Sequence, residues 1–175
     1  MDYKPLLKLA RNCIECELLN KNFDVPDDIK KKFNEKKACF VTLKINGRLR
    51  GCIGSLEAKQ ELWKDVIDNS RNAAFFDPRF SPLNYDELSK IKIEISILTK
   101  PKKLGIGSYV FDKIDKKMGI ILKKGYSSAT FLPQVWEEIP DKTKFLEHLS
   151  LKAGLSPDSW KDAELYYYRV DSCEE

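Results

Sequence analysis

A chain of 175 residues is the length of one domain, or of two small lobes sharing a core. Its 42% hydrophobic and 33% charged residues exclude a largely disordered chain, and its apolar stretches are far shorter than the roughly 20 residues of a membrane-spanning helix. With 31 basic against 27 acidic side chains, a net charge of +4 is too mild to imply nucleic acid. The lysine runs (Lys30-Lys31-Lys32, Lys36-Lys37, Lys123-Lys124) are scattered among acids and read as solvated faces. No signal-type apolar core follows Asp2, Lys4 and Lys8, so the cytoplasm is the expected location, and an odd count of five cysteines predicts reduced thiols.

The first predicted element is a helix over about Tyr3–Asn20, on whose apolar stripe Leu6, Leu7, Ala10, Cys13, Ile14 and Leu18 recur. That spacing places the Cys13-x-x-Cys16 pair inside a helix and makes Cys13 core material. A redox pair would open a helix, and no second cysteine pair or histidine group completes a zinc site, so no metal is expected. A Pro26 turn and a short helix over Asp27–Phe33 lead to a strand at Ala38–Ile45.

Asn46-Gly47 marks a hairpin whose register decides where Cys52 points. A two-residue loop would pair Ile45 with Arg48 and Leu43 with Arg50, mixing apolar and charged side chains on one face. A three-residue loop, Ile45-Asn46-Gly47, pairs Leu43 with Leu49, Val41 with Gly51 and Cys39 with Ile53, and this register is the expected one. The other face then carries Lys44, Arg48, Thr42, Arg50, Phe40 and Cys52.

The returning strand holds the most site-like segment, Leu49-Arg50-Gly51-Cys52-Ile53-Gly54. Its glycines allow close backbone approach, and an adjacent Arg50 favours a thiolate at Cys52. Cys52 reads as a nucleophile, as a soft-metal ligand, or as a small residue packed in a strand.

A helix over Leu62–Ala74 must end before Phe76-Asp77-Pro78-Arg79-Phe80, since Pro78 biases Asp77 away from helical geometry. Asp77 and Arg79 form either an internal salt bridge that pins the loop or a site for a carboxylate or phosphate. Asn84 with Glu87 has the spacing of a capping box and starts a short helix. Ile91, Ile93, Ile95 and Ile97 then alternate with polar residues in the clearest strand of the chain, placing Glu94 on the other side, toward water or toward the face of Cys52.

Beyond Pro101 the pieces shorten. Met118–Leu122 and Ala129–Leu132 predict a hairpin, Pro133–Glu138 an ordered loop, Thr143–Ala153 a helix stopped by Gly154, and Leu165–Val170 a last strand. His148, the single histidine, falls on that helix and reads as a flanking residue. The elements add up to an α+β fold, mostly antiparallel sheet with flanking helices, in one domain over 1–175 with a lobe boundary near 100–105.

The Leu49–Gly54 segment, Ala73-Ala74-Phe75-Phe76-Asp77-Pro78-Arg79-Phe80, Ile93-Glu94-Ile95-Ser96-Ile97-Leu98, Phe131-Leu132-Pro133-Gln134-Val135-Trp136-Glu137 and Leu151-Lys152-Ala153-Gly154-Leu155 together resemble the AMMECR domain family, in its microbial AmmeMemoRadiSam system protein A type. Nearly the whole chain is covered. The resemblance implies a larger and a smaller subdomain with a cleft between them that holds the Cys52 motif, and it implies a Memo-like protein and a radical S-adenosylmethionine protein as partners. Arg50, Gly51, Cys52, Gly54, Asp77, Arg79 and Glu94 match the motif positions. Lys117-Met118-Gly119 departs from a His-Gly in many relatives.

The expected function is a small-molecule or cofactor site around a catalytic Cys52, with Arg50, Gly51, Gly54, Asp77, Arg79 and Glu94 as ligand-binding residues. No residue pattern names the cofactor, and the residues leave open whether the chain is an enzyme. The alternative is a non-catalytic adaptor that binds partner proteins through aromatic side chains such as Trp136, Trp160 and Tyr166-Tyr167-Tyr168.

Overall fold

A computed structural model describes residues 2–175. The chain divides into two compact units, residues 1–98 with 171–175, and residues 99–170. The first unit carries equal numbers of acidic and basic side chains; the net positive charge of the chain lies in the second.

The first unit contains helices α1 (Lys4–Leu18), α2 (Asp27–Lys32), α3 (Leu62–Phe75) and α4 (Tyr85–Leu88) and strands β1 (Cys39–Ile45), β2 (Arg48–Gly54), β3 (Ile91–Leu98) and β8 (Val170–Glu174). Its sheet has the order β2-β1-β3-β8, with β1 antiparallel to both neighbours. The inner face presents Val41 and Leu43 from β1 and Ile91, Ile93, Ile95 and Ile97 from β3. Leu6, Ala10, Cys13 and Ile14 of α1 and Leu62, Val66 and Ala73 of α3 cover it, as the helical spacing in the sequence demands. Each large aliphatic side chain buried there contributes about 1.5–3 kcal/mol. Asn20, in the left-handed conformation, ends α1: Lys21 N–H reaches the Cys16 carbonyl and Asn20 N–H the Glu17 carbonyl.

The hairpin register differs from the expected one. Asn46 and Gly47, both at positive φ, form a two-residue turn that pairs Ile45 with Arg48 and Lys44 with Leu49. Arg50 is then an extra residue, a β-bulge, after which Leu43 pairs with Gly51, Thr42 with Cys52, Val41 with Ile53 and Phe40 with Gly54. The physical reason lies across the core. A Cβ on Gly51 would fall 2.1 Å from the Ala73 carbonyl oxygen, so this residue must face α3 with no side chain. The turn prefers its primed geometry, α3 requires Gly51 inside, and the bulge satisfies both. Leu49, expected opposite Leu43 in the core, is therefore exposed.

The second unit contains strands β4 (Lys102–Ile106), β5 (Gly119–Lys124), β6 (Ser127–Phe131) and β7 (Glu164–Tyr168) in the order β4-β7-β5-β6, and helices α5 (Gly107–Val110), α6 (Val135–Glu138) and α7 (Lys142–Lys152). Its core joins Ile120, Leu122 and Leu165 to Phe145, Leu146 and Leu149 of α7. The Trp136 indole stacks on Phe145 with centroids 3.6 Å apart and donates to the Met118 carbonyl at 2.8 Å. Gly154 at positive φ ends α7, with Leu155 N–H returning to the Ser150 carbonyl.

Three further elements differ from the expected ones. The loop expected at Pro133–Glu138 contains α6. The strand β4 was not anticipated, and the single last strand expected at Leu165–Val170 is two: β7 ends at Tyr168, and β8 leaves to join the first unit's sheet.

Candidate functional site

Cys52 lies on β2, at the edge of the first unit's sheet, with its side chain on the face opposite α1 and α3. Register makes this face chemical. Thr42 stands between Cys52 on one side and Glu94 on the other, so the three form a row across β2, β1 and β3. The Thr42 hydroxyl donates to Cys52 Sγ at 3.2 Å. One step along β1 on the same face, the Lys44 ammonium donates to Glu94 Oε2 at 2.7 Å. That hydrogen bond first of all raises the Lys44 pKa, with Glu174 and Cys52 adding to the field that keeps it charged. The lone acid at Glu94 is thus paired, and its partner is a lysine that sequence reasoning did not join to it.

The Asp77-Pro78-Arg79 turn reaches Cys52 from outside the sheet. Asp77 Oδ2 accepts the Cys52 N–H at 2.9 Å, and Arg79 NH2 donates to the Cys52 carbonyl at 3.1 Å. Asp77 also holds Arg79, from Nε to Oδ1 at 2.9 Å and from NH2 to Oδ2 at 2.7 Å. Asp77 is only 3% exposed, and the Arg79 fork, aided by the Cys52 and Arg79 amides, keeps its carboxyl well below the usual carboxylate range against the opposing effect of burial. The Arg79 side chain is 53% exposed, and NH1 makes no hydrogen bond among the described residues. One edge of a fixed guanidinium therefore faces solvent next to the cysteine backbone.

Arg50 does not sit on Cys52 as the expected register required. The bulge turns it to Glu87, with Nε to Oε1 at 2.7 Å and NH2 to Oε2 at 2.9 Å, and NH2 also reaches the Ser81 carbonyl at 3.0 Å. Its charge is met by a carboxylate, so Arg50 holds the loop after α3 rather than a thiolate. Phe80 lies under both guanidinium groups, 5.8 Å from Arg50 and 5.6 Å from Arg79. Glu87 serves twice, because the capping box read from sequence is formed around Asn84.

The two glycines of the motif are occupied by protein. Gly51 faces the Ala73 carbonyl, and a Cβ on Gly54 would meet the Phe40 ring at 2.3 Å. Their lack of a side chain admits a helix and an aromatic ring.

A second polar cluster escaped the sequence reading. Buried Asp65 accepts from Cys39 N–H at 2.9 Å, Ser55 Oγ at 2.8 Å, Asn69 Nδ2 at 3.0 Å and Gln60 Nε2 at 3.3 Å. The signal was available, since Asp65 and Asn69 fall on the same stripe of α3 as Leu62, Val66 and Ala73. Buried polar residues there must pair with each other or with backbone.

Among the described residues no cluster of three or more His, Cys, Asp or Glu side chains is placed to hold a metal ion. Among the described residues no helix is long and apolar enough to cross a membrane. His148 is exposed on α7 in the second unit, and all five thiols are free. Burial pushes the thiols of Cys13 and Cys173 up to about 11, and burial followed by the charge of Asp65 pushes Cys39 well up, so these three resist ionisation. Of the aromatic residues expected at a partner surface, Trp136, Trp160 and Tyr168 are buried in the second unit.

Residues 7–173 match the sequence model of the AMMECR1 family. The chain is 41% identical to the protein NEQ441 of Nanoarchaeum equitans, over 97% of this chain and 98% of that protein. It is 38% identical to a protein of Aquifex aeolicus, over 96% of this chain and 89% of the relative. The crystal structure of the uncharacterized protein PH0010 from Pyrococcus horikoshii has the same α+β fold, with a TM-score of 0.84 and 34% identity, covering 97% of this chain and 89% of that one. The chain belongs to the AMMECR1 family.

Proposed function

We propose that the outer face of the first unit's sheet at Cys52 binds a small molecule bearing a carboxylate or phosphate, with Cys52 as the reacting thiol or as a ligand. The observation that carries this reading is the convergence on one strand residue of a hydroxyl donor, Thr42, and a half-exposed guanidinium, Arg79, whose NH1 edge is unspent. A planar fork suits bidentate recognition of an anion, and Asp77 holds it in place before any ligand arrives. Thr42 and the Lys44–Glu94 pair line the same face and supply a hydroxyl, an ammonium and a carboxylate within one row and its neighbour. The chemistry open to this set is addition of the Cys52 thiol across an electrophilic double bond, the S–C bond forming as the π bond breaks and the thiol proton passing to the product, with the anionic group of the substrate on Arg79.

Native mass spectrometry of the purified chain tests the site. The expected result is a bound anionic small molecule that is lost in Arg79→Ala and in Cys52→Ser, both still folded. A species retained in both variants would place the site elsewhere. Peptide-resolved alkylation tests the thiol: Cys52 should react well ahead of Cys13, Cys39 and Cys173.

The free thiols fit a reducing compartment, and we infer that the protein works in the cytoplasm. We infer as partners the Memo-like and radical S-adenosylmethionine proteins that the family resemblance implies, and co-purification from cells producing all three tests this. A non-catalytic adaptor is the second reading. It is favoured by Tyr109 and Tyr126, which stand almost wholly free of the second unit. Preserved partner capture and cellular function in Cys52→Ser would select it.

A further inference from the structure

We propose that the Asp77-Pro78-Arg79 turn is a side-chain substitute for a missing fifth strand, closing the sheet edge at Cys52, and that Asp77 and Arg79 are thereby positioning residues for the Cys52 thiol. The second half of this proposal rests on the reading of Cys52 as the working group; the first half stands without it.

The argument starts from the edge. In the order β2-β1-β3-β8, β2 has β1 on one side only. An antiparallel strand sends the N–H and C=O of a given residue to the same side, alternating from one residue to the next. Because the Cys52 N–H goes to Asp77 and its carbonyl receives Arg79, both groups point away from β1. Such groups on an edge are open to water or to another chain. Here one acceptor and one donor meet them, the same pattern that a residue of a neighbouring strand would offer. In that geometry Thr42 and Cys52 are the close, non-hydrogen-bonded kind of cross-strand pair, which is why a hydroxyl and a thiol lie only 3.2 Å apart.

The substitute is assembled before it docks. Asp77 opens a turn closed by Phe80 N–H on the Asp77 carbonyl, with Pro78 in the second position, where its fixed φ is suited. The Asp77 carboxylate also accepts Arg79 N–H at 3.1 Å and both sides of the Arg79 fork. Further along, Arg50 ties the Ser81 carbonyl and Glu87 to the bulge, and Leu83 N–H returns to the Ala74 carbonyl at 2.8 Å. The segment therefore lies along β2 from Arg50 to Cys52 without any backbone ladder. A strand neighbour would fix Cys52 through many peptide groups, whereas this cover fixes it through one carboxylate and one guanidinium.

Amide exchange read by NMR in the full chain tests the closure, and alkylation of Cys52 by iodoacetamide tests the positioning. In Asp77→Ala the Cys52 amide should exchange about 10- to 100-fold faster, while Val41 and Ile95 on the central strands keep their protection. Arg79→Lys, which keeps a charge but not the fork, should give a smaller change. The Cys52 alkylation rate should shift in the same order across the variants. Unchanged Cys52 exchange in Asp77→Ala, or equal loss of protection at Val41 and Ile95, would overturn the closure. Faster exchange with an unaltered alkylation rate would overturn the positioning. If Asp77→Ala does not fold, Asp77→Asn and Arg79→Ala supply the same two readouts. Failure of the small-molecule reading leaves the exchange result standing, so the two can be told apart.

Discussion

The Arg50 guanidinium and the Glu87 carboxylate meet as a two-pronged fork, 37 positions apart in sequence, at 2.7 and 2.9 Å. The pair is largely buried, with side chains 12% and 20% exposed, and Arg50 NH1 lies buried with no partner among the described residues. Glu87→Gln keeps the shape and the acceptor for the Asn84 N–H but leaves the guanidinium charge without its counterion. The expected cost is about 2–3 kcal/mol in denaturant unfolding, since an uncompensated buried charge is expensive. A loss below about 0.5 kcal/mol, the range of ordinary surface substitutions, would show that the fork contributes nothing beyond its Coulomb attraction in water.

Stability should also depend on pH through Asp77. Arg79 first, then the Cys52 and Arg79 amides, hold the folded Asp77 pKa below its unfolded value of about 3.9. A depressed carboxylate pKa contributes stability that is fully present above the unfolded value and is lost as pH falls toward the folded one. Glu87, lowered chiefly by Arg50, acts in the same direction. The stability gap between the native chain and Asp77→Asn, measured by urea unfolding, should therefore be constant from about pH 7 to 5 and shrink below about pH 4. A gap that widened on acidification would reverse the sign of the argument.

These pairings show where sequence stops being legible. The β3 strand could be read directly, because Ile91, Ile93, Ile95 and Ile97 alternate, and so could the capping box, because Asn84 and Glu87 are neighbours in one turn. Local rules operate over a few residues. The bulge at Arg50 depends on Ala73, and the pairing of Arg50 depends on Glu87, and neither dependence has a local signature. A one-residue shift then moved Leu49 out of the core and Arg50 away from the thiol. Chemical uniformity of each hairpin face points to the three-residue loop, and a bulge removes that requirement. For the site, the hairpin reading put Thr42 on the face of Cys52 but opposite Arg50, only the family resemblance brought Asp77 and Arg79 toward Cys52, and Lys44 with Glu94 and Asp65 with Asn69 were not joined.

The glycines of the motif should differ sharply in tolerance. Gly51→Ala drives a Cβ to 2.1 Å from the Ala73 carbonyl, backbone against backbone, which neither element can relieve by a rotamer change. The cost should be about 3 kcal/mol, at the upper end for overpacking. Gly47→Ala meets open space and suffers only its positive φ, about 1 kcal/mol. Thermal unfolding of the two variants side by side checks the order, and Gly47→Ala as the more damaging change would refute the packing account of Gly51.

Asp65 offers the strictest test of the buried network. A carboxylate this deep is usually paired with a cation, yet its four partners are an amide N–H, a hydroxyl and two side-chain amides. Replacing it by Ala leaves the Cys39 N–H without its acceptor, while Asn69 Nδ2 keeps the Cys39 carbonyl and Ser55 Oγ, each at 3.2 Å, and an orphaned buried group costs about 1–3 kcal/mol. Asp65→Asn is no remedy, since it turns one acceptor into a donor facing either Cys39 and Asn69 or Ser55 and Gln60. Both variants should unfold at lower denaturant, with Asp65→Ala losing about 3 kcal/mol. The Cys39 thiol, raised by burial first and by the Asp65 charge second, should also ionise more readily in Asp65→Ala and react faster with a small thiol reagent. Unchanged stability together with unchanged Cys39 reactivity would mean that water replaces the carboxylate at no cost, and the network would then have no role in joining α3 to the start of β1.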